Sequence, residues 1–204
     1  MRLPMLRQQV PGANGCCLSL ADYISPVQPA ASSDVRNLPP ENVLGLFSTS
    51  FCEADEDSEA EDEEKYGQML CQTLKDRLAE ATAEKLHEDV RRVYWAYAPD
   101  ERLSMADLFA AKYRGIRPAV GYPSLPDQSI IFLIDRLLPF SQIGVRLTEN
   151  GMMQPHASVA GLMFSHPRAE YFSVGQIDGS QLADYAARRG MASRELRKYF
   201  FRNI

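Results

Sequence analysis

The feature that most constrains the fold of this chain is a long stretch without proline, from about 61 to 97. Within it, apolar residues recur near the period of an α-helix; they are Tyr66, Leu70, Leu74, Leu78, Ala81, Leu86, Val90, Val93 and Tyr97. Ala98 precedes Pro99, and the pattern ends there because a residue before proline is disfavoured in helical conformation. The sequence therefore predicts one long amphipathic helix, and we expect His87 on its surface.

Shorter elements are predicted on both sides of this helix. Apolar and β-branched residues predict strands at 42–51, 143–147, 158–164 and 171–174. Capping residues and glycine stops predict further helices at 104–113, 126–138, 181–189 and from 193 onward. Because helices and antiparallel strands occupy separate stretches, the expected class is α+β: a twisted antiparallel sheet with flanking helices and one long central helix.

The 204 residues suit a single domain, 1–204. Its first part, 1–15, is polar and contains Pro4, Pro11 and Gly15, so we predict an irregular N-terminus. Nine of the twelve residues from 53 to 64 are acidic. Such a run repels itself, which predicts a mobile, solvated loop; the alternative is a docking patch for a basic partner.

Charge and composition exclude several classes of protein. The net charge of −5 comes without a basic stripe, which argues against a nucleic-acid partner. No apolar run is long enough to span a membrane, and the N-terminus lacks the apolar core of a signal peptide, so we expect a cytoplasmic protein. The cysteines and histidines have no metal-ligand spacing, so no metal site is predicted; the four cysteines are expected to be reduced thiols.

The strongest candidate for a binding site is the turn 117–123, which reads Arg-Pro-Ala-Val-Gly-Tyr-Pro. Arg117 offers a planar fork of donors that suits a carboxylate. Gly121 lets the backbone approach a ligand closely, and Tyr122 adds a flat apolar face with a polar tip. Such a turn suits a small zwitterion that carries an aromatic base. The alternative is a tight loop that joins two elements, with Arg117 capping a helix end.

Further motifs occur in a fixed order along the chain. They are 19–24 (Ser-Leu-Ala-Asp-Tyr-Ile), 77–81 (Arg-Leu-Ala-Glu-Ala), 93–95 (Val-Tyr-Trp), 147–149 (Leu-Thr-Glu), 164–167 (Phe-Ser-His-Pro), 170–175 (Glu-Tyr-Phe-Ser-Val-Gly) and 184–190 (Asp-Tyr-Ala-Ala-Arg-Arg-Gly). Together with the Arg-x-x-x-Gly-Tyr core of the turn, they resemble the activation domain of cobalamin-dependent methionine synthase, which binds S-adenosylmethionine. The resemblance extends from about 6 to 198. The family domain begins with a further segment that supplies an acidic ligand, so the resemblance implies a free-standing, shortened form.

The resemblance implies roles for particular residues. Arg117 would bind the methionyl carboxylate, and Glu80 on the long helix would hold the ammonium group or a ribose hydroxyl. For Glu80, a surface ion pair with Arg77 is the alternative. Tyr171 and Phe172 would lie near the adenosyl group, or else serve as packing residues of a strand. The remaining implied binding residues are Pro118, Ala119, Gly121 and Tyr122 in the turn. Glu149 would orient that turn without contacting the ligand.

The implied function is support of methionine synthase reactivation. The domain would present S-adenosylmethionine to cobalamin carried by a partner, a methionine synthase without its own activation domain, while a flavodoxin-like donor supplies an electron. The protein would contribute positioning and no nucleophile. Two alternatives remain open: a non-catalytic regulatory protein that kept the fold, and an adenosyl-ligand module for another corrinoid methyltransferase.

Overall fold

A computed structural model describes residues 2–12, 15–26, 39–51 and 65–200. The acidic segment predicted to be a loop, 53–64, lies outside the described residues. The helices in the described ranges are α1 (Lys65–Asp89), α2 (Met105–Phe109), α3 (Ile130–Leu137), α4 (Gly179–Arg189) and α5 (Ser193–Leu196). The strands are β1 (Gly45–Ser50), β2 (Arg146–Leu147), β3 (Met153–Gln154) and β4 (Ser158–Met163). The predicted α+β class, with small antiparallel sheets and one long helix, is confirmed.

The central sheet is the antiparallel pair of β1 and β4, in which Gly45 lies opposite Met163 and Ser50 lies opposite Ser158. The segment 116–120 is hydrogen-bonded to the edge of β4 that β1 does not occupy. The amide of Leu162 donates to the Pro118 carbonyl at 3.0 Å, and the amide of Val120 donates to the Ala160 carbonyl at 3.0 Å. The start of the candidate turn is thereby fixed to the sheet. The second small sheet pairs β2 with β3.

Helix α1 packs on this sheet through small side chains. Ala79 and Ala83 are buried, and Ala83 joins a cluster with Phe47 and Met163. The hydroxyl of Thr49 donates to the Ala79 carbonyl at 3.2 Å, which ties β1 to the helix. By contrast, the apolar stripe that suggested an amphipathic helix is exposed in the first half of α1, at Tyr66, Leu70, Leu74 and Leu78.

The end of α1 departs from a regular α-helix. A π-helical turn, Val90–Tyr94, continues it, and the chain leaves helical geometry at Trp95, close to the predicted end. Ser104 and Asp107 form the predicted capping box at α2. Gly190 ends α4 in a left-handed conformation with φ of 68°, as predicted.

Two predicted strands are corrected by the structure. The segment 171–174 has no strand pairing, and the amide of Val174 instead donates to the Pro123 carbonyl at 2.9 Å. The predicted strand 143–147 is reduced to Arg146–Leu147, because a 3-10 turn occupies Phe140–Ile143. Alternation of apolar residues over so few positions does not distinguish a strand from a buried turn.

The largest core cluster lies beneath α3 and β4 and includes Ile116, Ile130, Ile134, Leu162 and Phe164. A second cluster forms around α4 and α5. Phe172 packs against both clusters, so the segment that carries it joins the two parts of the core. Among the described residues, no helix is both long and apolar enough to cross a membrane.

Candidate ligand-binding site

A pocket of about 670 Å³ lies between the second half of α1, the turn after 116 and the segment 171–173. It is lined by most of the residues that the sequence singled out, namely Glu80, Arg117, Pro118, Ala119, Tyr122, Tyr171 and Phe172. Gly121 lines an adjoining pocket of about 390 Å³, which shares Glu80, Ala119 and Tyr122 with the first. Residues far apart in sequence thus converge on one concave surface.

Arg117 is held in place through both its backbone and its side chain. Its amide donates to the Tyr171 hydroxyl at 3.0 Å. Its Nη1 donates to the Tyr113 hydroxyl at 3.0 Å, and the guanidinium lies 5.7 Å from the centre of the Tyr113 ring. Burial alone would lower the pKa of Arg117, but Tyr171, Tyr113 and Glu84 outweigh it and raise that pKa above its ordinary value. Arg117 is therefore a fixed cation in the pocket wall.

Glu84 is the partner of Arg117 that the sequence did not indicate. Its two carboxylate oxygens accept from Arg117 Nη1 at 3.1 Å and Nη2 at 2.5 Å, which makes a bidentate pair. Glu84 lies one helical turn after Glu80 on α1, so both acids face the same pocket. The i, i+4 spacing of two acids on a predicted helix was the available signal, but only the packing of α1 decides which acid meets the arginine.

The turn itself depends on close backbone packing. Gly121 has a φ of +85°, and a Cβ added there would lie 2.6 Å from Gln128 Oε1. Its amide donates to the Leu125 carbonyl at 2.9 Å, which closes the turn. Ala119 lies opposite Gly161 of β4, and a Cβ at Gly161 would collide with the Pro118 carbonyl. These contacts place the Pro118–Ala119 backbone at the floor of the pocket.

Glu80 and Tyr122 form the boundary between the two pockets. The Tyr122 hydroxyl donates to Glu80 Oε1 at 3.3 Å, and Arg77 pairs with Glu80 Oε2 at 2.7 Å. Desolvation of the phenol, followed by the charge of Glu80, raises the pKa of Tyr122 above its ordinary value, so the hydroxyl stays protonated. Glu80 therefore forms the surface ion pair with Arg77 and also lines the pocket, so both interpretations of the sequence apply to it.

Tyr171 and Phe172 point to different surroundings. Tyr171 is 44% exposed, lines the pocket, and its hydroxyl lies 3.4 Å from that of Tyr113. Desolvation of the hydroxyl raises the pKa of Tyr171, so it is a neutral hydrogen-bonding group. Phe172 packs its ring 6.4 Å from that of Tyr23 and contributes an edge to the pocket. The pocket thus has aromatic walls with protonated phenol groups.

Behind Arg117 lies His87, which the sequence placed on the helix surface. That prediction is wrong: His87 is fully buried. Its Nδ1 lies 3.4 Å from Arg117 Nη1, and its Nε2 lies 3.3 Å from the Tyr97 hydroxyl. Burial, together with the charges of Arg91 and Arg117, lowers the pKa of His87 from 6.5 to about 2. The imidazole is neutral and supports the arginine as an acceptor.

Glu149 lies two positions after the end of β2, as expected, but it makes few contacts. Its backbone carbonyl accepts from the Tyr199 hydroxyl at 3.5 Å. Within the described ranges, no hydrogen bond or ion pair joins its side chain to the turn 117–123. Its role in orienting that turn stays a prediction that no contact of the described residues supports.

The arrangement has the charges and the concave shape of a small-molecule binding site. A partly buried cation, two carboxylates and several aromatic rings around a pocket of this size suit a small zwitterion with an aromatic base. The phenols of Tyr122 and Tyr171 stay protonated, and a pKa of about 2 makes His87 a very weak base, so none of the three is poised as a general base. The site is therefore built to hold and orient a ligand.

Comparisons with known proteins identify the family of the chain. The sequence model of the family described as "Vitamin B12 dependent methionine synthase, activation domain" matches residues 1–190. A crystal structure of the MetH reactivation domain bound to AdoHcy is 46% identical in sequence and superposes with a TM-score of 0.64. The match covers 69% of this chain and 43% of that one, so this chain spans less than half of the solved relative. The chain belongs to the family of vitamin B12-dependent methionine synthase activation domains.

Proposed function

We propose that the protein binds S-adenosylmethionine and presents it for the reductive methylation of cob(II)alamin in a cobalamin-dependent methionine synthase. Family membership supports the proposal, as does the solved relative, which is bound to AdoHcy, the demethylated product of S-adenosylmethionine. The observation that carries it is the convergence of Arg117, Tyr122 and Tyr171 on one pocket of about 670 Å³. That volume lies in the range of about 300–1,000 Å³ that is usual for small-molecule sites.

The residues present fit the ligand group by group. Arg117 supplies donors for the methionyl carboxylate, and Tyr122, Tyr171 and Phe172 supply faces for the adenosyl group. Ala119 leaves its backbone accessible beside the ligand, and Pro118 and Gly121 fix the turn. Glu80 offers a carboxylate for a ribose hydroxyl or a cationic group of the ligand.

The role of the chain in the reaction is to position the methyl donor. Reduced cobalamin, when bound to the partner, would supply the methyl acceptor, and S-adenosylhomocysteine would be left once the carbon–sulfur bond of the sulfonium has broken. Alignment of that bond toward the acceptor is the main requirement, because the sulfonium is already electrophilic. Arg117, anchored by Tyr171, Tyr113 and Glu84, fixes one end of the donor for this purpose.

Two partners follow from the proposal. The cobalamin would be carried by a methionine synthase polypeptide without its own activation domain, and this chain would act on it in trans. A flavodoxin-like protein would supply the electron that reduces cob(II)alamin. The net charge of −5 and the absence of a basic stripe in the sequence are consistent with partners that are proteins rather than nucleic acids.

The first test is calorimetric titration of the protein with S-adenosylmethionine and S-adenosylhomocysteine. Saturable binding is expected, and Arg117→Ala should weaken it by about 1.5–3 kcal/mol, the contribution of a charge-assisted hydrogen bond. Arg146→Ala, at an exposed position of β2, is the matched control and should leave binding unchanged. An unchanged titration for Arg117→Ala would remove that residue from the site.

The reactivation role needs a separate measurement. A cobalamin-loaded partner that has been oxidised should regain methionine synthase activity faster when this chain, S-adenosylmethionine and the electron donor are all present. Equal recovery without the chain would contradict the proposal. Saturable ligand binding without any gain in reactivation would favour a regulatory protein or a module for another corrinoid methyltransferase.

A further inference from the structure

The pair between Arg117 and Glu84 leaves part of the guanidinium available. Glu84 occupies the end of the fork, where Nη1 and Nη2 each donate one hydrogen. Arg117 Nε has no hydrogen-bond partner among the described residues. It is also not one of the buried polar atoms that lack a partner, so it is accessible to solvent. The side edge formed by Nε and the second hydrogen of Nη2 is therefore open.

That side edge has the geometry for a second carboxylate. Arginine carries five N–H donors, and two parallel donors on the side edge match the two oxygens of a carboxylate. A ligand carboxylate can bind there without displacing Glu84. The arginine would then be flanked by two carboxylates that share Nη2.

Two carboxylates beside one guanidinium leave an excess negative charge. The neighbouring groups do not balance it: His87 is a neutral acceptor, and Tyr113 offers only a hydroxyl. Arg91, which lies over the Tyr113 ring, is already paired with Glu101. In an α-amino acid, the ammonium group is attached to the carbon next to the carboxylate. A carboxylate on the side edge of Arg117 thus brings the ammonium toward Glu84, whose side chain is one-third exposed.

We propose that Glu84 binds the α-ammonium group of the ligand and thereby makes the pocket selective for a complete zwitterionic amino-acid end. The inference rests on the proposed function and deepens it by assigning the ammonium site. Glu80 is a poorer candidate, because no contact of the described residues joins it to Arg117, whereas Glu84 shares the guanidinium that would hold the ligand carboxylate. Glu84 and Arg117 together then form a receptor whose charges are the complement of the zwitterion.

The test compares S-adenosylhomocysteine with its des-amino analogue, which keeps the carboxylate and lacks the ammonium. Wild-type protein should bind S-adenosylhomocysteine about ten- to a hundredfold more tightly, as expected for one charge-assisted contact. Glu84→Gln, which keeps the shape of the side chain, should reduce that preference to about threefold or less, because any loosening of Arg117 affects both ligands while loss of the ammonium contact affects only the amino ligand. Glu84→Asp keeps the charge and should retain most of the preference.

Glu80→Gln is the comparison variant on the same helix. It should weaken both ligands by a similar factor and keep the wild-type ratio. A Glu84→Gln protein that folds normally by thermal denaturation yet keeps the full preference would overturn the inference, as would loss of the preference in Glu80→Gln. Failure of wild-type protein to bind either ligand would instead contradict the proposed function itself, so the two failures are distinguishable.

Discussion

His87 illustrates how tertiary packing sets the chemistry of a single residue. Arginine can only donate, so the contact at 3.4 Å from Arg117 Nη1 requires an unprotonated Nδ1. The proton of the neutral ring therefore lies on Nε2, which donates toward the Tyr97 hydroxyl at 3.3 Å. The ring also stands edge-to-face against Tyr113, 5.1 Å between centres. A charged imidazole in this place would face two arginines, and the acids Glu84 and Glu101 are already paired with them.

A pH dependence of stability follows from His87. Its pKa is about 2 in the folded protein, against an ordinary value of 6.5 that applies to the unfolded chain, so the unfolded chain binds the extra proton between these values. The associated stability is fully present above 6.5 and is lost as the pH falls toward 2. Between about pH 7 and about pH 5.5, wild-type protein should lose about 1 kcal/mol more unfolding free energy than His87→Asn.

Urea denaturation at the two pH values measures this difference. Tyr97→Phe is a suitable control, because it removes a partner of the imidazole but leaves the buried imidazole itself, so the pH dependence should persist. Equal losses for wild-type protein and His87→Asn would show that His87 does not stay neutral in the folded state.

The sequence predicted some residues of the site more readily than others, for a physical reason. Arg117, Gly121 and Tyr122 belong to one contiguous turn whose backbone requirements can be read locally. Glu84 and His87 acquire their surroundings only when α1 packs on the sheet, and a polar residue in a predicted helix is by default expected on its surface. The choice between Glu80 and Glu84 as the partner of Arg117 is a question of helix rotation, which periodicity alone does not answer.

At the scale of elements, α1 shows why a hydrophobic pattern can point to the wrong face. Its larger apolar side chains, from Tyr66 to Leu78, are exposed, while the buried face carries Ala79, Ala83 and His87. Small residues let the helix lie close to β1 and β4, and that closeness brings Glu84 within reach of Arg117. Helix length and position were predictable from the sequence, but the buried face depended on the shape of the sheet beneath it.

The segment 116–120 is a second element whose position was not evident from the sequence. It lies antiparallel to β4 and forms the third segment of the sheet, and Gly161 permits the close approach. A Cβ at Gly161 would lie 2.8 Å from the Ala119 Cα, besides the collision with the Pro118 carbonyl. Gly161→Ala should therefore destabilise the protein by about 1–3 kcal/mol and weaken ligand binding, because it shifts the backbone that carries Arg117.

Gly67→Ala is the matched control for that change. Gly67 lies in α1 with nothing within 4 Å of an added Cβ, so alanine should stabilise the helix by about 0.5–1 kcal/mol and leave ligand binding unchanged. Chemical denaturation and calorimetry on both variants provide the comparison. If Gly161→Ala bound ligand as wild-type protein does, the position of 116–120 would not depend on this close approach.

At the scale of the whole molecule, a buried polar network connects the two core clusters. Asp127 precedes α3, and its carboxylate accepts from the Tyr185 hydroxyl at 2.8 Å and pairs with Arg189 at 3.2 Å. Its other oxygen accepts from the amide and hydroxyl of Ser129. Because Tyr185 and Arg189 come from α4, Asp127 anchors the C-terminal cluster as well as the start of α3. Phe172 packs between the clusters and places Tyr171 in the pocket wall.

The network predicts that removing the buried charge of Arg189 destabilises the protein much more than removing the surface charge of Arg188. Arg189→Met should lower the free energy of unfolding by about 3–5 kcal/mol, because it leaves the Asp127 carboxylate buried without a counter-charge. Arg188→Met, one position earlier and paired with Asp184 at the surface, should cost no more than about 1 kcal/mol.

A double variant separates charge from packing. Asp127→Asn keeps an acceptor for Ser129 and places an amide that donates to the Tyr185 hydroxyl, but removes the charge, so adding it to Arg189→Met should recover most of the lost stability. Denaturant unfolding of the two single variants and the double variant measures the coupling energy. Additive losses would mean that Asp127 and Arg189 stabilise the junction independently. A recovered double variant would show that the loss in Arg189→Met is the cost of leaving one buried charge unpaired.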